Sequence, residues 1–422
     1  MCCKKTPPCK KRIWGLSNRR SRFGLLAFSL ALLWLAMACR TDPISCDDPL
    51  GCVVVRPGNP VQLVSLLPMS GETAVWGQEL ARGINLALSN RGGELLNHDL
   101  ELIPLDSGCD PATGLAAIQN LDEATPWLGF IGPACSNVAE AVLPTIRRND
   151  WLIISPGSTA PSLTKNASDQ AFFRTVPNHL HQATVAAHFA FEQLGVRETA
   201  VFEDGSTFNS LLAQQFSDTF TQLGGSVIFQ GSLTPGQTEV TAVLAEAAIS
   251  APELIYLALF EPEGNLIINR LAETSQLNQA IVLGADSLGT VQFASQIGET
   301  PAAIYVTGPT LAGAAYDSFQ AAWVNRYETL PTNPAPAYAY DAAQLLLDAI
   351  EAVALVGQNG ALVIGRGALR QQVAAIEITG VTGSLRCTPN GDCAAKTYGV
   401  YELDTAVRNS AFWPPPLVWQ FE

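Results

Sequence analysis

The chain has 422 residues, 48% hydrophobic and 15% charged, with a formal net charge of −14, a length too great for one core and suited to two domains. Positions 1–38 hold eight Lys or Arg and no acid, so the remainder sets sixteen bases against 38 acids, a net charge of −22. A surface this acidic repels phosphate backbones and excludes nucleic acid as a partner.

The basic opening runs into a mostly apolar stretch, 23–38, that ends Ala36-Met37-Ala38-Cys39. That is the order of a secretory signal peptide, and the run is short for a permanent membrane span. Alanines at 36 and 38 suit ordinary cleavage. Cys39 immediately afterwards suits a lipoprotein signal, in which that cysteine is acylated and becomes the mature N-terminus. The second option is preferred and predicts an exported protein, on the periplasmic or cell-surface face, touching a bacterial membrane through its N-terminal lipid.

Beyond the tether-like segment 39–60, rich in Asp, Pro and Gly, the chain alternates strand and helix. Strand 61–67 meets the turn 68–71. Helix 78–91 then carries Leu80, Ile84 and Leu88 on one face until Gly92-Gly93 stops it. Strand 100–105, a helix from Pro111, strand 127–131, a helix from Ser136 and strand 151–154 repeat the unit. Such alternation predicts a parallel sheet with helices on both faces. A second series follows 172–176: helices 179–194, 208–223, 239–248 and 262–275 between strands 199–203, 226–230, 254–259, 280–284 and 303–307. Helices 316–327, 339–356 and 367–376 have no strands of their own and are expected to return to the first sheet. The segment 384–404 is predicted as a hairpin around Pro389-Asn390-Gly391-Asp392.

With Cys39 carrying lipid, six cysteines remain in the exported part: Cys46, Cys52, Cys109, Cys135, Cys387 and Cys393. An even number in such a protein predicts disulfides, and six cysteines permit about fifteen connectivities. The local pairs are the simplest, and closing the loop from Cys109 to Cys135 would stabilise by about 3.5 kcal/mol through chain entropy. Zinc is disfavoured, because the spacings are not paired CxxC and no histidine lies near these cysteines.

The stretch 107–164 concentrates the chemistry. Cys109 and Cys135 frame one βα unit, and the turns Gly132-Pro133-Ala134-Cys135-Ser136 and Ser155-Pro156-Gly157-Ser158-Thr159 each follow an apolar strand. Helix N-terminal amides and hydroxyls converge there, a fitting place for an anionic or zwitterionic group. Phosphate-cradling GxxxxGK[ST], a GxGxxG after a strand and a GxSxG nucleophile elbow are missing. Of the histidines His98, His179, His181 and His188, only His181 and His188 could share a helix face, and solvated or hinge-lining roles suit them better than metal or base chemistry. Glu261 and Glu263 follow a strand end, a pocket position that a helix N-terminus explains equally well. No catalytic constellation emerges, so the expectation is a protein that is not an enzyme and carries neither cofactor nor metal.

Taken in order, Met69-Ser70-Gly71, Trp76-Gly77, Cys109-Asp110-Pro111, Cys135-Ser136, the run Ser155-Pro156-Gly157-Ser158-Thr159-Ala160-Pro161 and Gly284-Ala285-Asp286 resemble the branched-chain amino-acid binding proteins of ABC importers. These are type I periplasmic solute-binding proteins, and the resemblance spans 61–404. It implies an α/β fold of two lobes joined by three crossovers, each lobe a parallel sheet flanked by helices. Lobe I would take 61–177 with 308–385, and lobe II 178–307 with 386–422. Carried over, Ser136 and Thr159 would donate to a ligand carboxylate, helped by backbone at Gly157 and Ser158, and Asp286 would take the α-ammonium. Trp76, Phe208 and Phe260 fall where the family places tyrosines and would form an aromatic wall. Glu203, Asp204 and Glu261 would add acceptors for a polar or cationic side chain. The implied function is capture of an amino acid or similar small zwitterion for delivery to a membrane ABC permease. The alternative on the same fold is a sensor or scaffold lipoprotein, for example one that activates a cell-wall synthase.

Overall fold

The structure, a computed structural model, describes residues 45–420 except 72, 122–124, 126, 166–170, 301–302, 395–397 and 410–414. The leader and Cys39 lie outside the described residues. Folding begins within the segment predicted as a tether. Strand β1 (Cys52–Val55) pairs antiparallel with the strand Leu362–Gly365. Asp48 accepts from the amides of Gly367 at 3.1 Å and Ala368 at 2.8 Å, capping the helix Arg366–Ala375. Three valines are too short a run to show a period, and their partner strand lies near the other end of the chain.

β2 (Val61–Leu67) is buried at every position but Gln62, as a strand covered on both faces must be. With β3 (Glu94–Leu95), β4 (His98–Asp106), β5 (Phe130–Ile131), β6 (Ile153–Ser155) and β7 (Phe172–Arg174) it forms a six-stranded sheet in the order β3-β4-β2-β5-β6-β7. All of its pairs are parallel except β3 with β4. Helices α1 (Ala74–Asn90), α2 (Pro111–Gln119) and α3 (Ser136–Arg148) make its crossovers. At the start of α2, Asp110 accepts from the Thr113 amide at 2.8 Å and Pro111 occupies the first turn, where its missing N–H is no loss.

The second series contains α4 (His179–His188), β8 (Glu198–Glu203), α5 (Thr207–Gln222), β9 (Ser226–Ser232), α6 (Thr241–Ser250), β10 (Leu254–Ala258), α7 (Glu261–Glu273), β11 (Ile281–Gly284), α8 (Val291–Gln296) and β12 (Ile304–Pro309). After it come α9 (Ala314–Tyr327), α10 (Ala335–Val353), β13 (Leu355–Val356), β14 (Leu362–Gly365), α11 (Arg366–Ala375), β15 (Glu377–Gly380), β16 (Gly383–Arg386), β17 (Tyr398–Glu402), α12 (Thr405–Asn409) and β18 (Leu417–Gln420). The second sheet runs β18-β17-β12-β11-β10-β8-β9, with β17 and β18 antiparallel additions to a parallel core. The chain crosses between the sheets three times: after β7, after β12 and between β16 and β17. Helix α10 returns to the first sheet, as expected, and its Leu346 and Ile350 join one core with Val61 and Leu63 of β2.

The end of the chain departs from the predicted hairpin. β16 pairs with β15 and β17 pairs with β12, while the turn between Cys387 and Cys393 lies along the edge of the first sheet. There the Arg174 amide donates to the Gly391 carbonyl and the Cys393 amide to the Arg174 carbonyl, both at 3.0 Å. Residues 387–393, assigned to lobe II from the sequence, therefore pack on lobe I, and only from β17 onward does the chain join the second sheet. An Asn-Gly pair announces a turn but not the surface it is laid against. Among the described residues three disulfides join local pairs: Cys46–Cys52, Cys109–Cys135 and Cys387–Cys393. Among the described residues no helix is long and apolar enough to cross a membrane.

Candidate ligand site

A cavity of about 330 Å³ lies between the sheets, at strand ends and beside the crossovers. Its lobe I wall is the turn after β6. The Ser155 hydroxyl donates to the Pro133 carbonyl at 2.5 Å and accepts from the Ser158 amide at 2.8 Å. The Ser158 hydroxyl donates to the same carbonyl at 2.8 Å. These bonds turn Gly157 and Thr159 toward the cavity, which both line together with Trp76. Gly157 is required by space: a Cβ there would stand 2.7 Å from the Ala134 carbonyl oxygen and 3.0 Å from the Trp76 ring. Ser158 is fully buried, and the Ser136 hydroxyl accepts from the Ala160 amide at 3.1 Å. Neither serine lines the cavity. Both shape the turn that does, because a hydroxyl next to a tight turn is used first by the turn's own backbone.

Asp286, just after β11, lies on the opposite wall. Its carboxylate accepts from Gln182 Nε2 at 2.9 Å and from the Tyr398 hydroxyl at 3.2 Å. The Gln182 carbonyl accepts in return from the Asp286 amide and the Thr307 hydroxyl, each at 3.0 Å. Burial raises the Asp286 pKa above the ordinary carboxylate value, opposed by these hydrogen bonds. Among the described residues no ion pair reaches it. A half-buried, cavity-facing carboxylate held only by neutral donors is suited to receive a cationic group.

Phe208 and Phe260 do not line this cavity. Their rings stack on each other at 6.0 Å, and Phe208 meets the His179 ring edge-on at 4.7 Å. Since the His179 Nδ1 lies 3.3 Å from the Thr159 hydroxyl, the two phenylalanines form a ledge beside the site. Tyr338, Tyr398 and Tyr401 supply aromatic wall instead. Sequence patterning offered no sign of them: Tyr398 and Tyr401 pack with different core clusters on either side of β17, yet both reach the cavity. The three expected acceptors are engaged locally. Glu203 accepts from the Gly205 amide at 2.7 Å and the Ser210 hydroxyl at 2.5 Å. Asp204 accepts from the Ser206 amide at 2.9 Å and Asn209 Nδ2 at 2.8 Å, and Glu261 accepts from the Thr290 hydroxyl. Acids at helix starts are consumed by nearby amides and hydroxyls before any ligand can use them.

Arg174 is a further residue of the site that sequence reasoning missed. Fully buried at the end of β7, it pairs with Asp392 of the stapled loop and donates to the Ala160 carbonyl at 2.8 Å and the Ser158 carbonyl at 3.2 Å. Its remaining nitrogen donates to the Thr164 hydroxyl at 2.7 Å. The available signal was a lone cation after two phenylalanines in an apolar strand, since a buried guanidinium must find several acceptors. His179 is buried as well, and desolvation with the Arg174 charge lowers its pKa to about 4, so the imidazole is neutral. His98 is held between the carbonyls of Asn59 and Gly360, at 2.7 and 2.8 Å. No metal-binding cluster of His, Cys, Asp and Glu occurs among the described residues.

Two lobes of this topology, with a walled cavity where the strands end, define a solute-binding protein of the type I periplasmic class. The sequence matches the periplasmic binding protein family over residues 60–407, and the chain belongs to that family. It is similar to the Leu/Ile/Val-binding protein BraC3 of Rhizobium johnstonii, 24% identical over 342 residues that cover 80% of this chain and 90% of that one. A solved leucine-binding protein of Thermotoga maritima has a TM-score of 0.67 at 24% identity, covering 82% of this chain and 96% of the other. A solute-binding protein of R. palustris solved with 4-hydroxybenzoate has a TM-score of 0.72 at 18% identity, with coverage of 86% and 97%. Members of the family bind small solutes rather than transform them and are exported to the periplasm or cell surface.

Proposed function

We propose that the protein is an extracytoplasmic substrate-binding lipoprotein, anchored through an acylated Cys39, whose lobes close on an amino acid or related small zwitterion and deliver it to an ABC permease. Asp286 carries this proposal: a cavity-lining carboxylate with only neutral donors, facing a wall formed by Gly157 and Thr159. An α-ammonium supplies the missing positive charge, and the ligand carboxylate meets the amide and hydroxyl donors of the turn. Ser136 and Ser158 act one layer back, holding that turn in shape.

Titration calorimetry of the exported chain against the twenty amino acids and benzoate tests the proposal. One or more amino acids are expected to bind, and Asp286→Asn to weaken them by about 2–3 kcal/mol, roughly 100-fold, as loss of a charged hydrogen-bonded partner does. Failure of every amino acid to bind, or equal affinity in Asp286→Asn, overturns it. Intact-mass measurement of the mature protein reads the lipid on Cys39 separately.

A further inference from the structure

We infer that the side chain of the captured amino acid is aromatic, an inference that rests on the amino-acid proposal above. The cavity wall away from Asp286 is made of ring surfaces, notably Trp76, Tyr338, Tyr401, Pro309 and Pro334. Two of the tyrosine hydroxyls at the site are already engaged. The Tyr401 hydroxyl donates to the Pro309 carbonyl at 2.8 Å, and the Tyr398 hydroxyl is committed to Asp286. Proline has no N–H to offer. A cationic side chain would find no second carboxylate here, because Glu203, Asp204 and Glu261 do not line the cavity and accept from neighbouring amides and hydroxyls. Ring faces with a negative quadrupole favour the positive edge of another aromatic ring over a branched alkyl group.

Size permits this: a cavity of about 150 Å³ holds one benzene ring, and this one measures about 330 Å³, enough for a ring and the α-amino-acid head together. An aromatic acid without an amine is disfavoured at the other end, since Asp286 is the only ionisable acid or base among the described lining residues other than the tyrosines, and it would face a second carboxylate.

The test is calorimetry of the exported chain with L-phenylalanine, L-leucine, L-lysine and benzoate, repeated on Tyr401→Leu. Phenylalanine is expected to bind about 20-fold more tightly than leucine, with lysine weaker still, and Tyr401→Leu to narrow the phenylalanine-to-leucine ratio about five-fold. Trp76→Leu serves in its place should circular dichroism show that Tyr401→Leu does not fold. Leucine or lysine binding as tightly as phenylalanine, or a ratio unchanged in a folded variant, overturns the aromatic inference and leaves the amino-acid proposal standing. No binding by phenylalanine overturns the aromatic inference alone, whereas benzoate binding more tightly than any amino acid, or failure of all of the amino acids in the wider panel, overturns both.

Discussion

Asp341 projects from α10 into the β15–β16 turn, where it accepts from the amides of Val381 and Thr382 at 2.7 and 2.9 Å and from the Thr382 hydroxyl at 2.6 Å. Burial outweighs these bonds and raises its pKa from 3.8 to about 6. The folded state therefore holds the proton more tightly than the unfolded one between about pH 4 and 6, so this group's stabilisation is full below the window and is lost as pH rises through it. Asp341→Asn does not titrate and surrenders an acceptor. It is expected to be less stable than the native chain at pH 4, with a deficit that shrinks by on the order of 2 kcal/mol by pH 7. Urea unfolding of both proteins at the two pH values reads this, and a pH-independent deficit would remove Asp341 from the account. Asp286 shifts in the same direction, so an ammonium ligand gains affinity as pH rises and that carboxylate ionises. Four of the eight residues singled out for ligand contact, Trp76, Gly157, Thr159 and Asp286, do line the cavity. All four were carried over from the family resemblance; Gly157, Thr159 and Asp286 follow strand ends, and Trp76 sits in the first turn of α1. Ser136 and Ser158 were legible as neighbours of the site, but their hydroxyls were spent on backbone. Phe208 and Phe260 missed it because a position just after a strand does not set the direction of the side chain.

The stapled loop connects residue chemistry to element packing. Cys387 and Cys393 hold Asp392 against Arg174, and Arg174 in turn holds the carbonyls of Ser158 and Ala160 in the ligand-facing turn. The loop lies so close to β7 that a Cβ on Gly391, whose φ is +94°, would come within 2.2 Å of the Phe172 carbonyl oxygen. So short a closed loop contributes only about 2 kcal/mol through chain entropy, and its larger effect is expected on the site. Replacing both cysteines by serine should weaken ligand binding about ten-fold, and Asp392→Asn should act in the same direction with the disulfide intact. Calorimetry combined with a melting curve distinguishes the cases: a lower melting temperature with unchanged affinity would make the loop a purely structural brace. The staple was legible as a cysteine pair around an Asn-Gly turn. Its attachment to the first sheet was not, because it depends on backbone bonds to β7, more than two hundred residues earlier.

At the scale of the molecule, the binding surface is divided. Thr159 belongs to lobe I and Asp286 to lobe II, so a zwitterion touching both favours the closed arrangement of the lobes. Saturating ligand, at about 100 times its Kd, is expected to stabilise the chain by about 2.7 kcal/mol and to reduce the radius of gyration measured by X-ray scattering. Asp286→Asn should show neither change at the same ligand concentration. A ligand that stabilised the chain without compacting it would place binding on one lobe alone.

Repeating strand–helix alternation was sufficient, from sequence, to specify two parallel sheets covered by helices, and the spacing of the cysteines pointed to the local disulfides. These features are written within single elements or between close neighbours, where hydrophobic period and turn chemistry are readable. The tertiary structure alone decided which aromatic rings line the cavity, where the stapled loop is laid and which acids are engaged by their neighbours. Tyr398 reaches Asp286 across 112 residues of chain and Arg174 reaches Asp392 across 218. No local pattern encodes such pairs, because what selects them is the packing of two lobes around a shared gap. The segment 107–164 thus specified much of one wall of the cavity, and the fold supplied the other.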